Sequence, residues 1–179
     1  MSTELIATAH LSGEDHARIR DLMGAAFEDF TDHDWSHALG GLHAVVREGD
    51  DVVAHGSIVL RRLLVEGRSL RCGYVEAVAV APERRREGLG GQVMAELEAL
   101  GPGYDVLALS STRDATAFYR TRGWRVWRGP SSVLTPYGPD RIEPTPEDDG
   151  AIHVYGGPDD HPLDLDAPIT CDWRDGDVW

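Results

Sequence analysis

The sequence predicts an α/β (α+β) fold, with a mixed central β-sheet flanked by helices. Three observations point there. Strand-like runs crowd residues 42 to 80, a β-α-β-α-β alternation follows from Tyr74 to Trp127, and the helical stretches carry apolar residues on one side only. A one-sided stripe marks a helix that covers a sheet rather than one buried all round. The chain has 179 residues, 41% hydrophobic and 27% charged, a composition ordinary for a globular protein. That length buries a sizeable core without disulfide staples, so one domain over 1–179 is expected.

Taken in order, Glu4 to Ala9 reads as a first strand. Ser12-Gly13-Glu14-Asp15 has the form of a capped helix start. Ile19, Leu22, Met23, Ala26 and Phe27 then fall on one helical face. A short helix is expected from Asp32 to Leu39, stopped by Gly40-Gly41. Strands are expected at 42–47, 52–60 and 62–66, with turns at Gly49-Asp50-Asp51 and Glu66-Gly67-Arg68. Tyr74 to Val80 is a further strand. After Pro82 comes a helix whose Leu89, Val93, Leu97 and Leu100 share a stripe. Val106 to Ser110 reads as strand, Ala115 to Arg122 as helix ended by Gly123, and Trp124 to Trp127 as strand. Pro136 to Pro146 reads as a long loop.

Charge narrows the function. The formal net charge is −14, which would repel nucleic acid and attract a cation. Residues 140–179 hold 12 acidic residues and 2 Arg, a balance of −10. The same segment carries Ile152, Val154, Tyr155, Leu163, Leu165, Ile169, Trp173, Val178 and Trp179, so a folded tail is expected rather than a solvated one. Between Arg61 and Arg86 the bias reverses, with 7 Arg against 3 Glu. There is no Lys, which excludes Schiff-base chemistry and a Walker-type phosphate lysine. Cys72 and Cys171 do not make a disulfide framework. No apolar run is long enough to span a bilayer, and Met1 to Ile6 lacks a basic leader. The expectation is a cytoplasmic protein with no membrane partner.

The segment that carries chemistry runs from Val78 to Gly91. A strand passes through a loop of small and basic residues into a helix start. The first amides of a helix lack internal partners and sit at the positive end of its dipole, which suits a pyrophosphate. Gly88 and Gly90 have no Cβ to hold a phosphate away. Arg84, Arg85 and Arg86 add positive charge. By spacing alone an ordinary turn fits equally well. A dinucleotide fold does not fit, because G-x-G-x-x-G is absent.

Arg85-Arg86-Glu87-Gly88-Leu89-Gly90 resembles the Q/R-x-x-G-x-G/A acyl-CoA loop of GCN5-related N-acetyltransferases (GNAT). Phe118-Tyr119 and Arg122-Gly123-Trp124 are similar to the later helix and strand of that superfamily. The resemblance narrows to aminoglycoside 2′-N-acetyltransferases through Phe30-Thr31, Asp34-Trp35, Leu39 to Ala44, Arg71 to Glu76, Ala108 to Ser111 and Cys171 to Trp179. These matches spread from residue 29 to the last residue.

The resemblance implies a GNAT fold and direct transfer of acetyl from acetyl-CoA to an aminoglycoside 2′-amine. It implies antibiotic resistance as the consequence and a homodimer as the assembly. Glu76 would take a proton from the amine. Strand alternation places it on the face of Val78 and Val80, and its apolar neighbours argue against an idle surface carboxylate. Tyr119 would protonate the departing thiolate, although the residue pattern alone fits an aromatic packed on a helix. Val78, Ala79 and Val80 would align the pantetheine arm, and Arg85, Arg86, Glu87, Gly88, Leu89 and Gly90 would hold the pyrophosphate.

For the cationic substrate the implied set is Asp29, Asp34, Glu76, the backbone of Ala77, Ser110, Glu147, Asp148, Asp177 and the carboxylate of Trp179. Carboxylates are the acceptors that ammonium and hydroxyl groups need. The acidic segment 140–179 would then fold onto the substrate site. Other amines (a polyamine, a cell-wall precursor or a protein N-terminus) are the alternative acceptors, and a non-catalytic binder of acyl-CoA is the other class. His33 and His37 stand at i and i+4 as in a zinc helix. A zinc protease would have glutamate directly after the first His, where this chain has Asp34, and no third ligand follows, so no metal is expected.

Overall fold

The computed structural model describes residues 3–138, 140–158 and 162–179. The chain divides into two compact units, Met1–Val59 with Val75–Leu100, and Leu60–Tyr74 with Gly101–Trp179.

In the first unit, β1 (Thr3–Ala7) pairs antiparallel with β2 (Leu42–Glu48), and β2 pairs antiparallel with the first part of β3 (Asp51–Val65). The first strand stops at Ala7, two residues short of expectation, because Thr8–His10 form a 3-10 turn. Helix α1 (Gly13–Ala26) begins with a complete capping box. The Asp15 amide donates to Ser12 Oγ (3.1 Å) and the Ser12 amide donates to Asp15 Oδ2 (3.0 Å). The Ser12 hydroxyl, with help from Arg47, holds the Asp15 carboxyl down at about 2. Phe27 is exposed past the end of α1 and is not part of its apolar face, contrary to the periodicity. Helix α2 (Asp32–His37) ends before Leu39.

Ile19, Leu22 and Met23 of α1 and Trp35 of α2 form one core cluster with Val45, Ala79 and Ala81. Helix α3 (Leu89–Ala99) packs on the opposite face of the strands. Gly56 marks that face: a Cβ there would lie 2.7 Å from Val93 and 3.2 Å from Leu97, while its neighbour His55 pairs with Val45 of the α1 face. A glycine is required there for that close approach.

The second unit holds the order β6-β9-β5-β4-β3-β10-β7-β8. These strands are the end of β3, the start of β4 (Arg68–Val80), β5 (Val106–Ser110), β6 (Arg125–Val126), β7 (Ser131–Leu134), β8 (Ile142–Pro144), β9 (Ile152–Tyr155) and β10 (Ile169–Asp172). The sheet is mixed, as the sequence predicts. β4 runs parallel to β5 at Cys72–Tyr74, β7 runs parallel to β10, and β5 with β9 is antiparallel. Helix α4 (Thr116–Thr121) places Tyr119 in the core beside Trp124.

Four expectations change in this part of the chain. β3 does not break at Arg61. That side chain is 5% exposed, yet its Nε donates to Asp172 Oδ1 (2.8 Å) and its Nη2 donates to the Asp172 carbonyl (2.7 Å). A paired guanidinium continues a buried strand where an unpaired one would end it. β4 begins at Arg68 rather than Tyr74. The strand expected over Trp124–Trp127 shrinks to two residues, the Trp124 amide donating instead to the Tyr119 carbonyl of α4 (3.2 Å). The loop expected over Pro136–Pro146 contains β8.

Trp179 is buried at 5% exposure, and its indole Nε1 donates to Thr145 Oγ1 (2.9 Å). Removing a buried indole costs about 3–5 kcal/mol. Trp179→Ala is therefore expected to lower the urea midpoint of unfolding at unchanged slope. A midpoint within error of the parent protein would show that the indole anchors nothing.

Candidate functional site

The residues singled out from the sequence fall in both units. In the first unit, the loop after β4 takes a form suited to an anion. Arg86 (φ 68°) and Gly88 (φ 84°) are left-handed, and Gly88 caps α3 with no side-chain cap. Left-handed turns in a loop gather successive amides into a concave anion seat. The Gln92 amide donates to the Gly88 carbonyl (3.1 Å), so the amides ahead of it precede the helix's own bonding pattern. A Cβ on Gly88 would meet open space, so glycine is needed there for its φ rather than for room.

The side chains of this loop do less than their charge suggests. Arg84 is paired with Glu48 and with Glu87, the latter through Nε at 2.9 Å. Arg85 donates to the Ala26 carbonyl at 3.3 Å. Arg86 is exposed, and Leu89 turns into the core at 3% exposure, so Leu89 has only backbone to offer a ligand. On β4, Ala79 is buried in the α1 cluster, Val78 reaches toward Gly56 on the α3 face, and Val80 is half-buried.

Glu76 is half-buried. The alternation argument that aligns it with Val78 and Val80 does not carry across Ala77. That residue has φ 52° in the middle of β4, where an L-residue pays about 1–2 kcal/mol. Such strain in a strand re-aims side chains and gathers at functional positions. The Ala77 carbonyl accepts from His55 Nδ1 (3.0 Å). His55 Nε2 meets His43 Nδ1 (2.9 Å), and His43 Nε2 meets Thr8 Oγ1 (2.8 Å). Both rings are fully buried, and burial pushes their basicity down, to about 4 for His43 and about 3 for His55. The resemblance gives neither ring a role, although His43 lies within its Leu39 to Ala44 match. The signal is in the sequence all the same, because each His interrupts an apolar strand run.

Asp29 is exposed in the segment between α1 and α2. Asp34 caps α2, its Oδ2 accepting from the Thr31 amide and hydroxyl, both at 2.8 Å. His33 is exposed, and among the described residues no group of three or more His, Cys, Asp or Glu has metal-holding geometry.

In the second unit, Ser110 ends β5 half-buried, opposite Ile152. Tyr119 is 7% exposed, with His153 at 5.9 Å between ring centroids, and burial pushes its phenol up to about 12. The structure brings Glu147, Asp148, Asp149 and Asp177 close enough to act on one another. Burial first, then the charges of Glu147 and Asp177, raise Asp148 to about 6, against the pull of a Thr145 hydrogen bond. Asp149 accepts from the Ser131 amide and hydroxyl, both at 2.8 Å. Thr145 thus joins Asp148 and the Trp179 indole. Burial and the neighbouring carboxylates thus disfavour the charged form of Asp148.

A family profile described as an acetyltransferase (GNAT) domain matches residues 8–127. A curated aminoglycoside 2′-N-acetyltransferase from Mycolicibacterium fortuitum is 47% identical over 99% of this chain and 92% of its own. Among solved structures, a GNAT family acetyltransferase from Brucella melitensis in complex with acetyl-CoA is similar over 97% of this chain and 96% of its own, at 19% identity and a TM-score of 0.58. Eis1 from Mycobacterium abscessus is similar over 74% of this chain at 15% identity and a TM-score of 0.60. The chain spans about a third of the length of Eis1 and of two other solved structures that it matches.

Proposed function

Because the chain belongs to the GNAT acetyltransferase family, we propose that it moves an acetyl group from acetyl-CoA to the 2′-amino group of aminoglycosides. The observation that carries this reading is the 47% identity, over nearly the whole chain, to an enzyme of that activity. The raised Asp148 carboxyl among Glu147, Asp149 and Asp177 supports a polycationic acceptor.

The chemistry follows from the groups present. The amine arrives as an ammonium and must lose a proton before its lone pair can attack. Glu76 takes that proton, directly or through one water. The nitrogen then attacks the thioester carbonyl, the C–N bond forms and the C–S bond breaks. Coenzyme A leaves as a thiolate that takes up a proton from solvent on release, and the second proton of the attacking nitrogen passes to water. A phenol near 12 does not give its proton outright to a thiol of ordinary acidity, about 8.5. Tyr119 therefore acts chiefly as a hydrogen-bond donor to the sulfur as charge develops there. The amides around Arg86 and Gly88 hold the pyrophosphate, and Asp29, Asp34, Ser110, Glu147, Asp148, Asp177 and the Trp179 carboxylate receive the sugar ammonium and hydroxyl groups. We place the enzyme in the cytoplasm as a homodimer, with aminoglycoside resistance as its effect in the cell. Among the described residues no helix is long and apolar enough to cross a membrane.

Thiol release from acetyl-CoA tests the reading. Turnover is expected with gentamicin and tobramycin, and none with kanamycin A or amikacin, which carry a hydroxyl at the 2′ position. Turnover with spermine alone would reassign the acceptor, and binding without turnover would make the chain a carrier.

Substrate affinity is also expected to depend on pH. Below about 6 Asp148 keeps its proton and the wall loses one negative charge. Tobramycin binding, measured by calorimetry, should weaken as pH falls through 6, by at most about tenfold per unit. Asp148→Asn should bind weakly at pH 7.5 and show a flat profile. A parent profile that is flat between pH 5 and 7.5 would remove Asp148 from the wall.

A further inference from the structure

We propose that His55, backed by His43, is a positioning residue for acetyl transfer: it holds Ala77 in its left-handed conformation and so fixes the main-chain turn that carries Glu76. The inference rests on the assignment of Glu76 as the base.

The direction of the buried chain is set by chemistry. The Ala77 carbonyl only accepts, so His55 Nδ1 carries the hydrogen of their 3.0 Å bond. A neutral His55 then has a bare Nε2, which takes the hydrogen of His43 Nδ1 at 2.9 Å. His43 Nε2 is bare in turn and takes the hydroxyl hydrogen of Thr8 at 2.8 Å. The Thr8 oxygen receives the Gly40 amide (3.0 Å) and the Gly41 amide (3.2 Å). The Thr8 hydroxyl also lies 3.2 Å from the Gly41 carbonyl, but donating there would leave His43 Nε2 without a donor. One arrangement satisfies every group from Gly40 to Ala77, and it requires both rings to be neutral. Burial supplies that condition.

A chain that ends on a carbonyl passes no proton onward, so it braces rather than relays. What it braces is unusual. Ala77 is a left-handed alanine inside a strand, whereas Glu66 and Arg86, the other non-glycine residues with positive φ among the described residues, lie in turns. The His55 bond is made to the Ala77 carbonyl in its left-handed form, so it adds a tertiary contact to the strained conformation.

The test uses the full chain. His55→Leu removes the donor and keeps bulk, while His55→Asn keeps an N–H near the Nδ1 position. His55→Leu is expected to lower kcat with gentamicin about ten- to hundredfold, with KM for acetyl-CoA unchanged. His55→Asn should keep most of kcat. Adding Ala77→Gly to His55→Leu should restore part of the loss, because glycine takes a left-handed φ without penalty. Loss of core packing alone would not be repaired by a glycine on another strand. A His55→Leu variant with parental kcat overturns the proposal, and so does a cooperatively folded double variant with no recovery. If His55→Leu does not fold, imidazole ¹⁵N shifts of the parent protein decide the matter: Nδ1–H on both rings supports the brace, and Nε2–H on either overturns it. A parent protein that acetylates no amine would end the reading of Glu76, while the ¹⁵N result would still judge the brace.

Discussion

Glu76→Gln is expected to lower kcat/KM with gentamicin by about 10²–10⁴ at neutral pH. Gln matches Glu in size and keeps its hydrogen-bonding reach, so the half-buried position next to the left-handed Ala77 is preserved and only the base is lost. Without that base, just the fraction of amine that is already neutral reacts. The variant should therefore gain activity steadily with rising pH and approach the parent under alkaline conditions. Steady-state kinetics across pH 6–9.5 check this. A parallel offset at every pH would mean that Glu76 orients the substrate without taking its proton. No loss at all would remove it from the chemistry.

Tyr119→Phe is expected to lower kcat by about 10²–10³, the usual effect of removing one donor aimed at developing charge. The ring stays, so its contacts with Trp124 and His153 survive and the fold should be nearly unaffected. Burial that lifts the phenol to about 12 keeps it protonated throughout the working range. No basic limb below pH 10 should therefore belong to Tyr119, and parent and variant should share one pH profile at different heights. An acyl donor with a more acidic thiol needs less help as it leaves, so the gap should narrow for such a thioester. A gap independent of the leaving group would return Tyr119 to a packing role.

Much of the fold is legible in the sequence because its signals are local. Both capping boxes, Ser12 with Asp15 and Thr31 with Asp34, lie within four residues, and the α3 stripe repeats every three or four. What escapes depends on distant partners. Arg61 reads as a strand breaker until Asp172, 111 residues away, is seen to neutralise it. β8 reads as loop because it lies in the Pro-rich stretch from Pro136 to Pro146, and among the described residues its strand partner is β7. The candidate site is named residue by residue through resemblance, and its physical character comes from the structure. Alternation cannot foresee the left-handed Ala77, since nothing in alanine's chemistry asks for that conformation. Charge counting credits Arg84 to the pyrophosphate, whereas Glu48 and Glu87 already hold it.

That last arrangement has a kinetic side. Arg84 ties the segment ahead of Gly88 to the end of β2 through Glu48, and to itself through Glu87. The ordering entropy of the loop is met when the chain folds, not when the nucleotide docks. Acyl donors should accordingly associate without a slow closing step, and differences in their affinity should surface in how long each one stays.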